Sequence, residues 1–124
     1  MFRFATILTL ASATALSAHA APVPEQWKQL TVMDGIAFSI DLDSVRTVNG
    51  QRHARLRTTF IDPNNKTIGF FDIAADCKAR TIDTLHVDIT NESRVLARQD
   101  HQPGEKRYML DDEEGKLMAP YLCP

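Results

Sequence analysis

Apolar and polar residues alternate along most of this chain, and the parity of that alternation predicts its strands. Trp27, Leu30 and Val32 mark a short first strand, with Trp27 set to cover an edge of the core. Asp34-Gly35 is a turn signal. Ile36, Phe38 and Ile40 then alternate with Ala37, Ser39 and Asp41, the pattern of a half-buried strand. The stretch Asp41-Leu42-Asp43-Ser44 reads as an exit from the sheet, a turn or one helical turn capped by Asp41 or Asp43. Asn49-Gly50 follows as a two-residue hairpin turn.

The centre of the chain fixes a register. From Arg52 to Ile61 the inward set is Ala54, Leu56, Thr58 and Phe60, and the outward set is His53, Arg55, Arg57 and Thr59. Asp62-Pro63-Asn64-Asn65 turns the chain, and Lys66 to Cys77 returns with Phe71, Ile73, Ala75 and Cys77 inward. Pairing Ile61 with Lys66 sets Leu56 opposite Phe71 and Ala54 opposite Ile73, so the two inward sets coincide. A slip of one residue would put every apolar side chain on the wrong face. Leu85, Val87 and Ile89 keep the odd parity across a turn at Lys78-Ala79-Arg80, which sets Ile73 opposite Leu85 and Phe71 opposite Val87. Gly69 to Arg80 is thus centred on the middle strand of a meander.

Val95 and Ala97 predict a further strand, Gln99 to Lys106 a polar loop with Pro103-Gly104, and Arg107 to Leu110 a brief return to the sheet. Asp111-Asp112-Glu113-Glu114 opens a helix with acids in its first turn. Leu110, Leu117, Met118, Tyr121 and Leu122 fall on one helical face. Gly115 weakens this helix by about 1 kcal/mol, and Pro120 is expected to kink or end it. The fold class that results is α+β. It is a small antiparallel meander of about five to six strands with a short C-terminal helix packed on one face.

Composition adds the compartment. Of 124 residues, 44% are hydrophobic and 24% charged, enough for one domain, expected over residues 21–124. The formal net charge of -2 gives no general attraction to nucleic acid or anionic membrane. Residues 1–20 carry Arg3, an apolar run from Phe4 to Leu16, and Ala18-His19-Ala20 as a small-x-small cleavage site, the layout of a bacterial secretory signal peptide. Cysteine is absent at the cleavage point, and a second apolar run long enough to span a bilayer is also absent, so a periplasmic or secreted protein without a transmembrane segment is expected. Ala21 to Pro24 form a stiff lead-in. In an oxidising compartment the two cysteines, Cys77 and Cys123, have one possible disulfide between them. Closing a loop of that length stabilises by about 4 kcal/mol on the chain-entropy account.

Candidate chemistry sits on the outward face. The register predicts cross-strand rows Arg55–Asp72–His86, Arg57–Phe70–Asp88 and His53–Ala74–Thr84. Arg57 over Phe70 would make a cation–π platform, and a binding face requires Arg55, Arg57, Phe70, Asp72 and His86 to form one exposed patch. If Phe70 and Ile82 were covered, that face would belong to a two-sided core. Opposite charges across strands also stabilise a solvated face, by about 0.2–1 kcal/mol per pair. His53 and His86 are one row apart, which leaves open a metal or haem contact beside two unrelated surface histidines. Nucleophile-elbow, HExxH, phosphate-loop and zinc-cysteine spacings do not occur, and Asp111 to Glu114 lacks the EF-hand spacing. No catalytic residue, metal ligand or cofactor is assigned.

Trp27, the Asp41-x-x-Ser44-Val45 strand end, Asp76-Cys77 with Arg80, and Cys123 closing the helix occur in an order that resembles the surface-adhesin protein E-like family. The resemblance spans Trp27 to Cys123 and implies a small antiparallel sheet with a disulfide-tied C-terminal helix. It also implies an exported binding module, with host extracellular-matrix or envelope proteins as partners. Tyr108 stands where the family often has Trp, and the lipid anchor of the family's namesake has no counterpart. The function expected is non-catalytic binding of a protein or small ligand through a sheet face or edge, with a homodimer through that edge also open. The alternatives are a periplasmic structural or accessory envelope protein and, further off, a small hydrolase.

Overall fold

The computed structural model describes residues 26–124. The export segment 1–20 and the lead-in 21–24 lie outside the described residues. The elements run β1 (Trp27–Met33), β2 (Ile36–Val48), β3 (Gln51–Phe60), β4 (Thr67–Asp76), β5 (Thr81–Asn91), β6 (Arg94–Asp100), β7 (Arg107–Met109) and α1 (Glu113–Leu122). One antiparallel sheet results, in the order β1-β2-β3-β4-β5-β6, with the short β7 also paired to β5. Asp34-Gly35 and Asn49-Gly50 both turn with positive φ at each central residue, the geometry whose twist matches that of the flanking strands.

β3 and β4 pair without a shift. Leu56 lies opposite Phe71 and Ala54 opposite Ile73, as the parity of the sequence requires. Two bulges depart from expectation. The first lies in β2, where the chain was expected to leave the sheet at Asp41. Instead Asp41 pairs with Arg55 and Arg46 with His53, and the residues between bulge outward while the strand continues to Val48. Side chains replace the broken ladder. Asp41 Oδ1 accepts from Gln26 N at 3.2 Å and Asp43 N at 3.0 Å. Ser44 Oγ donates to the Asp41 carbonyl at 2.7 Å and accepts from Arg55 N at 2.8 Å. The Asp-x-x-Ser spacing therefore closes a bulge, because unmet backbone groups in a half-buried strand are costly.

The second bulge is at Leu85. Asp72 pairs with His86, but Ile73 pairs with Thr84 rather than Leu85. Four residues, Cys77 to Arg80, make the turn before β5 where three were expected, and Leu85 takes up the difference. Ile82 thereby moves to the inner face, and Asp83 replaces Thr84 in the row with His53 and Ala74. Opposite this bulge the edge chain also breaks. His101 N donates to the Leu85 carbonyl at 2.8 Å, Thr84 N donates to the Lys106 carbonyl at 2.9 Å, and residues 101–106 loop out between β6 and β7.

The core lies between the inner face and α1. Ile40, Ala54, Leu56, Ile73, Ala75 and Ile82 meet Leu110, Met118 and Leu122. Trp27 is not at its edge; it lies on the opposite face, because Asp41, its partner across the ladder, faces outward with Arg55. Three contacts hold the helix down. Cys77 and Cys123 form a disulfide, Arg52 Nε donates to the Leu122 carbonyl at 3.0 Å, and Gly115 packs on the chain after β7. A methyl group on Gly115 would overlap the Met109 carbonyl oxygen and the Leu110 backbone. The glycine therefore gives up helix propensity for close approach. Asp112 caps the helix without a side-chain hydrogen bond, and Pro120 neither ends nor precedes it but sits in the last turn. There its missing N–H costs one bond to Lys116, and Cys123 N still donates to the Ala119 carbonyl at 2.8 Å.

Two stability measurements test this clamp. Gly115→Ala should lower the urea midpoint, by the equivalent of about 1–3 kcal/mol from overpacking, although alanine is the better helix former. An increase would show that α1 can lift from Leu110 freely. Cys77→Ser with Cys123→Ser should cost up to about 4 kcal/mol for a sequence separation of 46.

Candidate functional site

The outward face carries the residues singled out from the sequence, and two of its three expected rows are in register. Arg55 lies opposite Asp72, and Asp72 opposite His86; Arg57 lies opposite Phe70, and Phe70 opposite Asp88. The side-chain contacts differ from those expected. Arg55, not Arg57, lies over Phe70, 4.5 Å from the ring centroid. Arg57 lies 4.3 Å over Trp27, which reaches across β2 from the edge strand. Trp27 and Phe70 are themselves 6.2 Å apart, so the four side chains form one stack of two cations and two rings. Phe70 is half-buried within it, and Arg57 Nε is buried without a hydrogen-bond partner. Ile82 is buried as well, but through its shift to the inner face.

His86 turns away from Asp72. Its Nε2 is 3.0 Å from Asp88 Oδ2, and its Nδ1 meets Asp100 Oδ1 on β6. Arg98 Nε donates to Asp88 Oδ1 at 2.7 Å. The chain Arg98–Asp88–His86–Asp100 thus fastens β6 to β5. Asp100 first and Asp88 second hold the His86 imidazole above its ordinary pKa. Arg98, then His86, holds the Asp88 carboxyl below the usual carboxylate range. His53 goes the other way, lowered by burial and then by Arg46. The outward face is a largely self-satisfied ladder: its charges are committed to one another. Arg55 and Asp72 are 4.0 Å apart at half-exposed positions, a loose contact. Among the described residues no cluster of His, Cys, Asp or Glu is arranged to hold a metal ion, and no helix is long and apolar enough to cross a membrane.

The inner face offers different chemistry. A half-open cavity of about 950 Å³ lies between the sheet and α1. Phe38, Leu56, Phe71, Ile73 and Val87 form its floor and Met118 its wall. Ligand cavities run to about 300–1,000 Å³, so this one is at the large end. Phe38, Phe71 and Val87 remain partly exposed there, apolar surface that the helix does not reach. His101 lines the same cavity. Its side chain is only 4% exposed, Nδ1 has no hydrogen-bond partner, and Glu105 Oε1 is 3.9 Å away. Neither the cavity nor His101 was singled out from the sequence. Alternation marks Phe38, Phe71 and Val87 as inward and cannot say what covers them. The helix length could have, because ten residues span about 15 Å while six strands span about 24 Å.

The β6 edge is a poor site for another chain to pair with. β6 is exposed throughout, Val95 and Leu96 included, but it carries Arg94, Arg98 and Asp100, charges that discourage strand addition.

The His86 clasp has a signed pH dependence. A histidine whose pKa is raised on folding contributes stability that is complete below its unfolded value, near 6.5, and is lost as pH rises through the folded value. Urea unfolding of the wild type and of His86→Gln should therefore differ more at about pH 5.5 than at about pH 8.5, with the wild type the more stable. A gap that widens with pH would mean that the neutral imidazole is the form the fold holds.

No protein-family model, curated protein or solved structure matches the chain.

Proposed function

We propose that this chain is an exported, non-catalytic binding module that takes an apolar-bodied small ligand in the groove between its sheet and its C-terminal helix. One observation carries the reading: the half-open cavity of about 950 Å³ floored by Phe38, Leu56, Phe71, Ile73 and Val87. An apolar surface of this kind beside a packed core gains free energy when a ligand removes it from water, at about 25 cal/mol per Å². The outward face supports binding less, since its arginines lie on Phe70 and Trp27 and its carboxylates on Arg98 and His86.

Residues 1–20 support export to the periplasm or beyond. The motifs behind the surface-adhesin protein E-like resemblance have structural work: Asp41 and Ser44 close the bulge in β2, and Cys77 and Cys123 hold the helix. They support the architecture and name no partner. A matrix- or envelope-protein partner, and a homodimer through a sheet edge, belong to the same reading as uses of the module's other surfaces.

Amide chemical-shift mapping with decanol on the mature protein is the direct test. Shifts should concentrate at Phe38, Leu56, Thr58, Phe71 and Val87. Val87→Lys, which sets a charge on the groove floor, should weaken binding by about tenfold or more while the circular dichroism of the sheet persists. Shifts confined to Arg55, Arg57, Asp72 and β6 would transfer the site to the outward face or the edge. Pull-down of a matrix or envelope protein that survives Val87→Lys but not Phe70→Ala would do the same.

A further inference from the structure

We infer that the groove selects a single-chain cationic amphiphile, a primary alkylammonium, with its alkyl body on the apolar floor and its head among carboxylates at the mouth. The inference rests on the groove being a ligand site and adds the chemistry of the head. Asp34, Asp112, Glu113 and Glu114 all line the cavity, against one lysine, Lys106. Elsewhere, three acids on the sheet and its loops are each held by an arginine. Asp83 is bound by Arg107, Asp88 by Arg98 and Asp111 by Arg80. None of the four groove carboxylates takes part in an ion pair among the described residues.

Helix polarity explains part of this. The N-terminal end of α1 is equivalent to about half a positive charge, which favours acids in the first turn. Three carboxylates at that end, with Asp34 from the β1–β2 turn as a fourth, exceed what half a charge and one lysine offset. The excess negative charge surrounds apolar walls, and low-dielectric walls focus a field at the mouth. An anionic head would be repelled there, and a neutral head would leave the field unanswered. The buried wall adds an unanswered polar atom: His101, its side chain only 4% exposed, lines the cavity, and its Nδ1 has no hydrogen-bond partner. A primary ammonium supplies three donors and the missing charge in one compact group.

Calorimetric titration of the mature protein with decylamine, decanol and decanoate, each below its micelle concentration and at low salt, tests the head separately from the body. Decylamine should bind about tenfold more tightly than decanol, and decanoate more weakly than either. The preference should shrink in about 0.5 M salt. The triple variant Asp34→Asn, Glu113→Gln, Glu114→Gln should bring the ratio of decylamine to decanol affinity towards one. Asn tolerates the positive φ of 52° at position 34. The circular dichroism of each variant checks that it is folded, and Asp34→Asn alone, away from the helix, should give a partial loss. Equal affinity for decylamine and decanol in the wild type would overturn the inference and leave the groove standing. Failure of all three to bind would overturn the groove itself. Binding to vesicles carrying a cationic lipid, without binding to dispersed decylamine, would overturn the pocket in favour of a surface effect.

Discussion

The docking of one short helix decides what this sheet can do. Six strands in sequence make a surface with a strongly apolar inner face, and such a face must be covered. The cover is α1, ten residues long and weakened by Gly115 and Pro120. A helix of that length is marginal alone, so its position comes from tertiary constraints. The disulfide fixes its last turn beside the end of β4. Gly115 fixes its first turn against Leu110, where a larger residue would not fit. Between those two points the helix can pack over Ile40, Ala54, Ala75 and Ile82, and it can go no further. The groove over Phe38, Phe71 and Val87 is what remains of the inner face.

The two faces spend their side chains differently. Outside, arginines lie over rings and carboxylates flank a histidine, so most of the charge has a local answer. Inside, apolar groups lie open and acids stand at the rim without arginines. Exposed apolar surface of this kind, rimmed by polar groups, is what interaction sites in proteins share.

Much of the fold was legible in the residues because strand parity is unforgiving. The pairing of Leu56 with Phe71 followed from a turn at Asp62 to Asn65 and two inward sets that had to coincide. The bulges were hidden for the opposite reason. At Leu85 the extra residue is balanced by a turn one residue longer and by an edge chain that loops out at His101, and no local pattern reports such a three-way adjustment. The same bulge carried Ile82 from one face to the other, so an error of one residue in a turn misplaced half of a strand. The outward rows were legible as far as Asp72 and no further. Which ring each arginine chose depended on Trp27, whose side of the sheet turns on a register shift between Gln29 and Thr31. The groove was hidden because partly exposed and fully buried apolar residues look alike in a sequence.

Trp27 is the single tryptophan of the chain, and it lies on an edge strand, on the face away from the core. Its indole is therefore an optical reporter of the outer stack with Arg57 and Phe70 rather than of the buried interior. Edge strands open at lower free energy than central ones. A change in intrinsic fluorescence in this protein signals that β1 has peeled from β2, while the disulfide-tied half of the molecule can still be intact. Emission and far-ultraviolet dichroism are thus two clocks for two regions.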